Sequence, residues 1–496
     1  MKFRKSISII LLAAILCSTA ACADSGEKPE DTTGSSTSAG DTETATGTET
    51  GRESVSDDLP TVDYGGAEFT IMDRTKYVYE FTAEEEENGD ILNDAVHERN
   101  RKVEDRFNVK IGTYTMDCDW GSSAKQFNNT LRASIQAGDS AFDLVAAYAA
   151  AIPGVVSDGI FMNWNDLKYN DFSKPWWSKT VADELTINGK AFMMTGDLSL
   201  SLWKEMFCFY FNKRLADNYN LGDIYGLVKN GEWTLDKLAE LTKGIYEDGD
   251  GDGTASFGDR YGFLLGYDTV IDTFKEAFEV NVTEKDKDGF PKIVFNSDRA
   301  VEVVEKLNSY VHSGDSVFFP QDGSDEVRMK LRNMFSSGLG VFYAQTLGIS
   351  EDLRSMDDDF GIIPYPKYDT AQDTYHSTAR DNFSMFVVPV DVKDPDMTSV
   401  ITEALCAESY KIVVPTFYDK ALKTKAARDD DSAEMIDMIR DGLVFDWGYL
   451  HSDTLGGVGH IFVGLIRNNS NNVMSEYAKM QDKYATNLEK VLEVYR

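Results

Sequence analysis

Ala67-Glu68-Phe69-Thr70-Ile71-Met72 follows the Gly65-Gly66 turn and reads as a first β-strand. Downstream, Leu92, Val96, Val103 and Phe107 fall on one helical face, with Glu and Arg elsewhere, so a helix capped by Asn93 is expected to run to Phe107. Val109-Lys110-Ile111 then reads as a second strand, Phe127 to Ala137 as a helix, and Phe142-Asp143-Leu144-Val145-Ala146 as a third strand. Strand, helix, strand, helix, strand predicts a parallel α/β sheet.

Towards the C-terminus the same alternation starts again. Met206 to Phe211 is an apolar strand, and Thr234 caps a helix from Leu235 to Tyr246, with Asp236 in its favourable first turn. Tyr261–Leu265, Gly340–Tyr343, Gly361–Ile363 and Phe383–Val390 read as further strands, and Asp396 to Arg496 is mostly helical in pattern. Residues 61–496 exceed the size at which a single core stops growing, roughly 250–300 residues, so two lobes are expected. The expected division is a first lobe over 61–205, to which part of 383–450 returns, a second lobe over 206–382, and C-terminal helices over 451–496. In such folds ligands sit at the carboxyl ends of the strands.

Upstream of the first strand the chain is of another kind. Lys2, Arg4 and Lys5 precede an apolar run from Ile7 to Leu16, too short for a bilayer, which needs about 20 residues. Small residues follow, and the pattern over 1–21 is that of a secretory signal peptide. Cys22 comes next, in Ser18-Thr19-Ala20-Ala21-Cys22, which resembles the lipobox of bacterial lipoproteins, with Thr19 where Leu is usual. Cys22 is expected to carry a lipid; the alternative is cleavage after Ala21 that leaves a free thiol. Residues 22–60 are mostly Ser, Thr, Gly, Asp and Glu and read as a disordered linker. As a coil it would reach about 35 Å on average.

The chain holds 84 acidic against 49 basic residues, a formal charge of −35, so nucleic acid and anionic membrane surfaces are excluded as partners. Of five cysteines, Cys118, Cys208 and Cys406 remain after Cys17 and Cys22, too far apart for a CxxC zinc site, and they read as small buried residues.

Asp248-Gly249-Asp250-Gly251-Asp252-Gly253 has the spacing of a calcium loop. Counting from Asp248, carboxylates fall at positions 1, 3 and 5, glycine at 6, the Thr254 carbonyl at 7, Ser256 at 9 and Asp259 at 12, where Glu is usual. A structural calcium ion is expected; the alternative is a solvated Gly/Asp turn. With no second loop, a calcium sensor is not expected.

The chain resembles bacterial extracellular solute-binding proteins of ABC importers, the family 1 type that mostly carries carbohydrates. The resemblance spans nearly all of the domain beyond the linker. It rests on Asn93-Asp94-Ala95-Val96-His97-Glu98-Arg99-Asn100, Phe142-Asp143-Leu144-Val145, Phe209-Tyr210-Phe211-Asn212-Lys213 and Trp233-Thr234-Leu235-Asp236. The acidic loop before Tyr261-Gly262-Phe263, and Phe360-Gly361-Ile362-Ile363-Pro364-Tyr365-Pro366-Lys367, complete it. The resemblance implies a two-lobed periplasmic-binding-protein-like fold of type II, with a cleft between lobes. It also implies capture of a carbohydrate, delivery to ABC permease subunits, and a monomer tethered by its lipid at the outer face of the cell membrane.

Sugar sites of this kind stack rings on aromatics and hold hydroxyls with Asp, Asn, Arg or Trp. The candidates are Tyr148, Asp197, Trp203, Tyr343, Arg380, Asp381 and Trp447, each of which could instead be core packing or surface scatter. Trp176-Trp177 reads as lobe packing. An enzyme is not expected: a secreted glycoside-active enzyme with two flanking carboxylates is the remaining alternative, but Asp and Glu are so abundant that no pair stands out, there is no GxSxG, HExxH or Walker A motif, and the five histidines lack metal spacing. A binder serving a sensor kinase, or taking a non-sugar solute, stays open.

Overall fold

The computed structural model describes residues 49–83, 90–267, 269–314, 316–418 and 430–496. The signal peptide, Cys22 and most of the expected linker lie outside these residues. The chain separates into Met1–Thr50 and a second body, Gly51–Arg496, which holds all the strands. The linker expected to reach residue 60 ends sooner. Asp57 is held by both terminal nitrogens of Arg106, Asp58 pairs with Lys174 at 2.5 Å, and Val55 and Leu59 rest on the core. Composition alone reads this polar stretch as linker, because the partners that fix it lie far along the chain.

Among the described residues, twelve strands form three sheets. β1 (Ala67–Arg74), β2 (Val109–Met116), β3 (Leu144–Tyr148) and, much later, β12 (Ser384–Val387) make the first, in the order β12-β3-β1-β2. β1 is parallel to both β2 and β3, as the alternation requires, with Ala67 opposite Val109 and Ile71 opposite Leu144. β12 closes the edge antiparallel, Ser384 opposite Tyr148. The helix between β1 and β2 spans Ile91–Phe107 and buries Val96, Val103 and Phe107. Its N-cap is Asp90, which accepts from the N–H groups of Leu92 and Asn93, so the helix begins about one turn earlier than the Asn93 cap expected.

The second sheet holds β4 (Phe207–Asn212), β5 (Tyr246–Glu247), β6 (Arg260–Leu264), β9 (Val317–Phe318), β10 (Gly340–Thr346) and β11 (Phe360–Ile363). It is mixed, which corrects the expectation of a second parallel unit: β4 runs antiparallel to both β10 and β11, and β5 antiparallel to β6. The helices that follow β4 lead to β5, which is not its neighbour in the sheet, so no direct crossover imposes parallel pairing on it. Every residue of β4 is buried, and Phe209 stacks on Phe263 at 5.1 Å and meets Tyr365 edge-on at 4.8 Å. Thr234 caps the following helix, Leu235–Thr242, through its hydroxyl and the Lys237 N–H. β7 (Thr283–Lys285) and β8 (Pro291–Ile293) form a small hairpin.

The lobes are joined where two chain passages lie side by side. Met206 bridges Ala379, the Arg380 N–H donates to the Glu205 carbonyl at 2.8 Å, and the Phe207 N–H to that of Thr378 at 3.0 Å. Beneath the junction lies a buried polar network. Arg74 reaches the Asn382 side chain and carbonyl and the Ser384 hydroxyl, while Glu80 accepts from the Ser201 N–H and from that hydroxyl.

Candidate functional site

The carboxyl ends of β1, β2 and β3 open on one edge of the first sheet, and the residues just past them face the second lobe. Beyond β1, Lys76, Tyr77 and Tyr79 line a cavity of about 480 Å³. Its floor is the joining passages, with Lys204, Glu205 and Arg380, and its far wall comes from the end of β10, with Tyr343, Gln345 and Thr346. The helix Asp325–Ser336 supplies Arg328, Met329 and Arg332 at the rim. The cavity thus lies between the lobes at strand ends, where an α/β protein has loops free for binding.

Its polar groups form a chain. The Tyr77 hydroxyl donates to Glu205 Oε1 at 2.8 Å, and Arg380 Nε stands 3.8 Å from Glu205 Oε2. Arg380 Nη2 donates to Gln345 Oε1 at 2.8 Å, which also accepts the Thr346 N–H at 3.0 Å. Burial, with the Glu205 charge beside it, pushes the Tyr77 phenol far above its usual range, so it stays a neutral donor. Lys204 lies 5.0 Å above the Tyr79 ring and pairs with Glu351 at 3.5 Å.

Of the seven sequence candidates, Tyr343 and Arg380 are brought together in this cavity. Tyr148 and Asp381 sit beside it at the junction. Tyr148 is buried with Arg74 5.6 Å from its ring, and burial together with the Asp381 charge raises its phenol. Asp197 is elsewhere, inside the first lobe. Gly196 lies so close under Trp176 and Trp177 that a Cβ there would come 2.5 Å from the Trp176 carbonyl oxygen, and the Asp197 N–H donates to that carbonyl at 2.8 Å. Burial pushes the Asp197 carboxyl up to about 8, against the pull of Arg52 and Arg440. Trp203 packs edge-on against Tyr418 at 5.9 Å. Trp447 is fully buried and stacks on His451 at 3.9 Å, away from the cavity. Trp176 and Trp177 are core residues, as their reading held.

Several aromatic and cationic groups were not among the candidates, Lys204, Arg328 and Arg332 of the cavity among them. Lys76, Tyr77 and Tyr79 were legible as Lys76-Tyr77-Val78-Tyr79 directly after the first strand. Trp120, 65% exposed, lines a second cavity of about 330 Å³ between the loop after β2, the loop after β3 and residues 450–454. Its signal was an aromatic in an Asp/Gly/Ser loop at a strand end.

The acidic loop lies away from the cleft. Oxygens of Asp248, Asp250 and Asp252 approach within 4.8 Å of one another, all exposed. Asp248 accepts from the N–H groups of Gly251 and Gly253, and Asp252 from that of Thr254 at 2.7 Å, a wrap that requires the positive φ of +74° at Gly253. Three converging carboxylates fit a hard cation. Asp259 differs: its oxygens accept from the Gly249 and Ser256 N–H groups and the Tyr261 hydroxyl. Against the upward push of burial, these bonds hold its carboxyl below the usual range. Cys118, Cys208 and Cys406 are free and buried.

No protein-family model and no curated protein matches the sequence. Solved structures do match the fold. An ABC substrate-binding protein from Listeria monocytogenes, solved with cycloalternan, shares 13% identity over 87% of this chain and 99% of its own, with a TM-score of 0.51. A family 1 extracellular solute-binding protein from Bifidobacterium longum subsp. infantis shares 14% identity over 85% and 100%, TM-score 0.54. The chain has the two-lobed fold of solute-binding proteins. UgpB from Mycobacterium tuberculosis, solved with glycerophosphocholine, matches over 86% of this chain and 99% of its own, with 14% identity and a TM-score of 0.51. The 480 Å³ cavity lies between the two lobes of this fold, at the ends of β1 and β10.

Proposed function

We propose that the chain is an extracytoplasmic solute-binding protein of family 1 that captures an oligosaccharide between its lobes and delivers it to an ABC permease, without catalysing a reaction. The observation that carries this reading is the inter-lobe cavity at the strand ends, walled by Tyr77, Tyr79 and Tyr343 and floored by Glu205 and Arg380. Phenol rings offer faces for the apolar side of a sugar, and the charged and amide groups between them offer hydroxyl partners. Tyr343 and Arg380 are the sequence candidates assigned to the solute, with Tyr148 and Asp381 at its edge.

Signal peptide, lipid on Cys22 and linker together hold the monomer at the outer face of the membrane, where a tether keeps captured solute near the permease. No helix among the described residues is long and apolar enough to cross a membrane. Asp248, Asp250 and Asp252, with the Thr254 carbonyl, are assigned to a structural calcium ion, while Asp259, expected as a further ligand, braces the loop through its own hydrogen bonds.

Thermal unfolding of the purified domain against a panel of oligosaccharides tests the solute class. A bound sugar raises the melting temperature by mass action. A second reading, capture of a glycerophosphodiester, is favoured by the likeness to the M. tuberculosis protein. A shift with glycerophosphocholine and none with any sugar would establish that reading and defeat the first.

A further inference from the structure

We propose that the solute carries an anionic group, a carboxylate or a sulfate borne by the sugar, held between Lys76 of the first lobe and Arg328 and Arg332 of the second. This rests on the oligosaccharide reading and specifies the class of sugar.

The first observation is a local inversion of charge. The chain has 84 acidic and 49 basic residues, so an average stretch of its surface is acidic. Around the inter-lobe cavity the balance reverses: Lys76, Lys204, Arg328, Arg332 and Arg380 face Glu205, Asp325 and Asp352. Counting Glu351, which pairs with Lys204 from just outside the cavity, still leaves cations in excess. A cleft lined by one sign of charge concentrates ligands of the other.

The second observation concerns which hydrogen-bonding capacity is left. The acceptors on the wall are largely spent. Gln345 Oε1 receives Arg380 and the Thr346 N–H, and Glu205 Oε1 receives the Tyr77 hydroxyl. The donors are not. Lys76 is exposed, and among the described residues its contact is the face of the Tyr77 ring at 5.2 Å, with no carboxylate in ion-pair range. An ammonium has three donors and no acceptor, so this wall asks for acceptors from its ligand. A neutral sugar, whose hydroxyls both donate and accept, would use it poorly; a carboxylate or sulfate offers acceptors alone.

The third observation is that the rim arginines stand in exposed ion pairs. Arg328 pairs with Asp325 one turn away at 2.5 Å, with side chains 39% and 96% exposed, and Arg332 pairs with Asp352, with 34% and 53%. Exposed pairs of this kind contribute little, so trading one for a ligand anion in a closing cleft costs little. Guanidinium groups also grip carboxylate and sulfate with paired N–H donors. Lys76 and the two arginines stand on opposite lobes, so an anion between them relieves like-charge repulsion and draws the lobes together.

The test is isothermal titration of the mature chain with paired probes: trigalacturonate against its carboxyl-reduced trigalactoside, and a monosulfated disaccharide against its desulfated parent. At least one anionic probe is expected to bind ten-fold or more tightly than its neutral partner, and the pair that discriminates tells carboxylate from sulfate. Lys76→Met should weaken that probe about ten-fold while leaving the melting temperature in place, because Lys76 is exposed. Neutral probes binding as tightly as the anionic ones, or an unaltered affinity in Lys76→Met, would overturn the anionic assignment and leave the oligosaccharide reading standing. If no sugar of either kind binds, the oligosaccharide reading falls and this inference falls with it.

Discussion

Glu403 gives the sharpest structural prediction. It lies fully buried on the helix Pro395–Glu408, and four N–H groups converge on its carboxylate. Trp176 Nε1 donates to Oε1 at 2.8 Å; Trp177 Nε1, the Asn170 amide and the Asp171 N–H donate to Oε2 at 2.8, 3.2 and 3.3 Å. The site is built for an acceptor. In Glu403→Gln one oxygen becomes an NH₂, and because the two indoles use different oxygens, one of them must meet a donor whichever way the amide turns. A buried N–H left without a partner costs about 1–3 kcal/mol, and the amide's own misdirected N–H adds to it, so a loss of about 2–4 kcal/mol is expected. Titration adds a second signature. Burial pushes the Glu403 carboxyl up to about 7, the four donors pulling the other way. A carboxyl raised in the folded state leaves the native protein holding more protons, so its stabilisation is full below the unfolded value of about 4.5 and is lost as pH rises through about 7. The wild type's advantage over Glu403→Gln should therefore be greatest near pH 4.5 and narrow towards pH 7.5. Thermal unfolding of both proteins across that range measures it. Equal melting temperatures at every pH would refute the four-donor site, and a constant difference would refute titration in this window.

Other outcomes follow from the same structure. Chelation with EDTA should lower the melting temperature of protein loaded with calcium, and Asp250→Asn should remove that sensitivity; an unchanged transition with chelator would count against the ion. Cys22→Ser should move the protein from the membrane fraction to the soluble fraction of cells, and retention on membranes would defeat the lipid anchor. Burial raises Asp197 from 3.8 to about 8, so its stabilisation is present at low pH and lost as pH rises through that range. Asp197→Asn should then be more stable than the wild type at pH 9 but not at pH 5, and parallel melting curves at the two values would rule this out.

Strand positions were legible because alternation marks them directly: β1, β6 and β11 lie within two residues of their expected ends. Strand direction was not. Nothing in Phe207–Asn212 says which way it runs, because β10 and β11 reach it from far along the chain. The helix start was ambiguous for a local reason: Asp90 and Asn93 are both capping residues, and Asp90 won by accepting two N–H groups. At the site, the aromatics divide by a property that sequence does not carry. Trp447 and Trp120 are the same residue type near loop signals, yet one stacks on His451 in the core and the other is 65% exposed at a strand end. The better guide was distance along the chain from a strand's carboxyl end, which would have chosen Tyr77, Tyr79 and Trp120 and passed over Trp447.

The joining passages tie the cavity to the architecture of the whole molecule. Arg380 and Glu205 are hydrogen-bonded to each other through their backbones, on two segments that pass between the lobes. Their side chains point apart in role: Arg380 reaches Gln345 at the end of β10 in the second sheet, and Glu205 receives Tyr77 from beyond β1 in the first. Each lobe is thus tied to the junction by one side chain that also lines the cavity. The buried Arg74–Ser384–Glu80 network fixes the first lobe's side of that junction, because unpairing any member leaves a buried polar group unsatisfied. A solute that touches Arg380 or Glu205 therefore acts on segments that pass between the lobes. A solute held as proposed would thus bear on lobe position through the residues that recognise it, without a separate relay between site and junction.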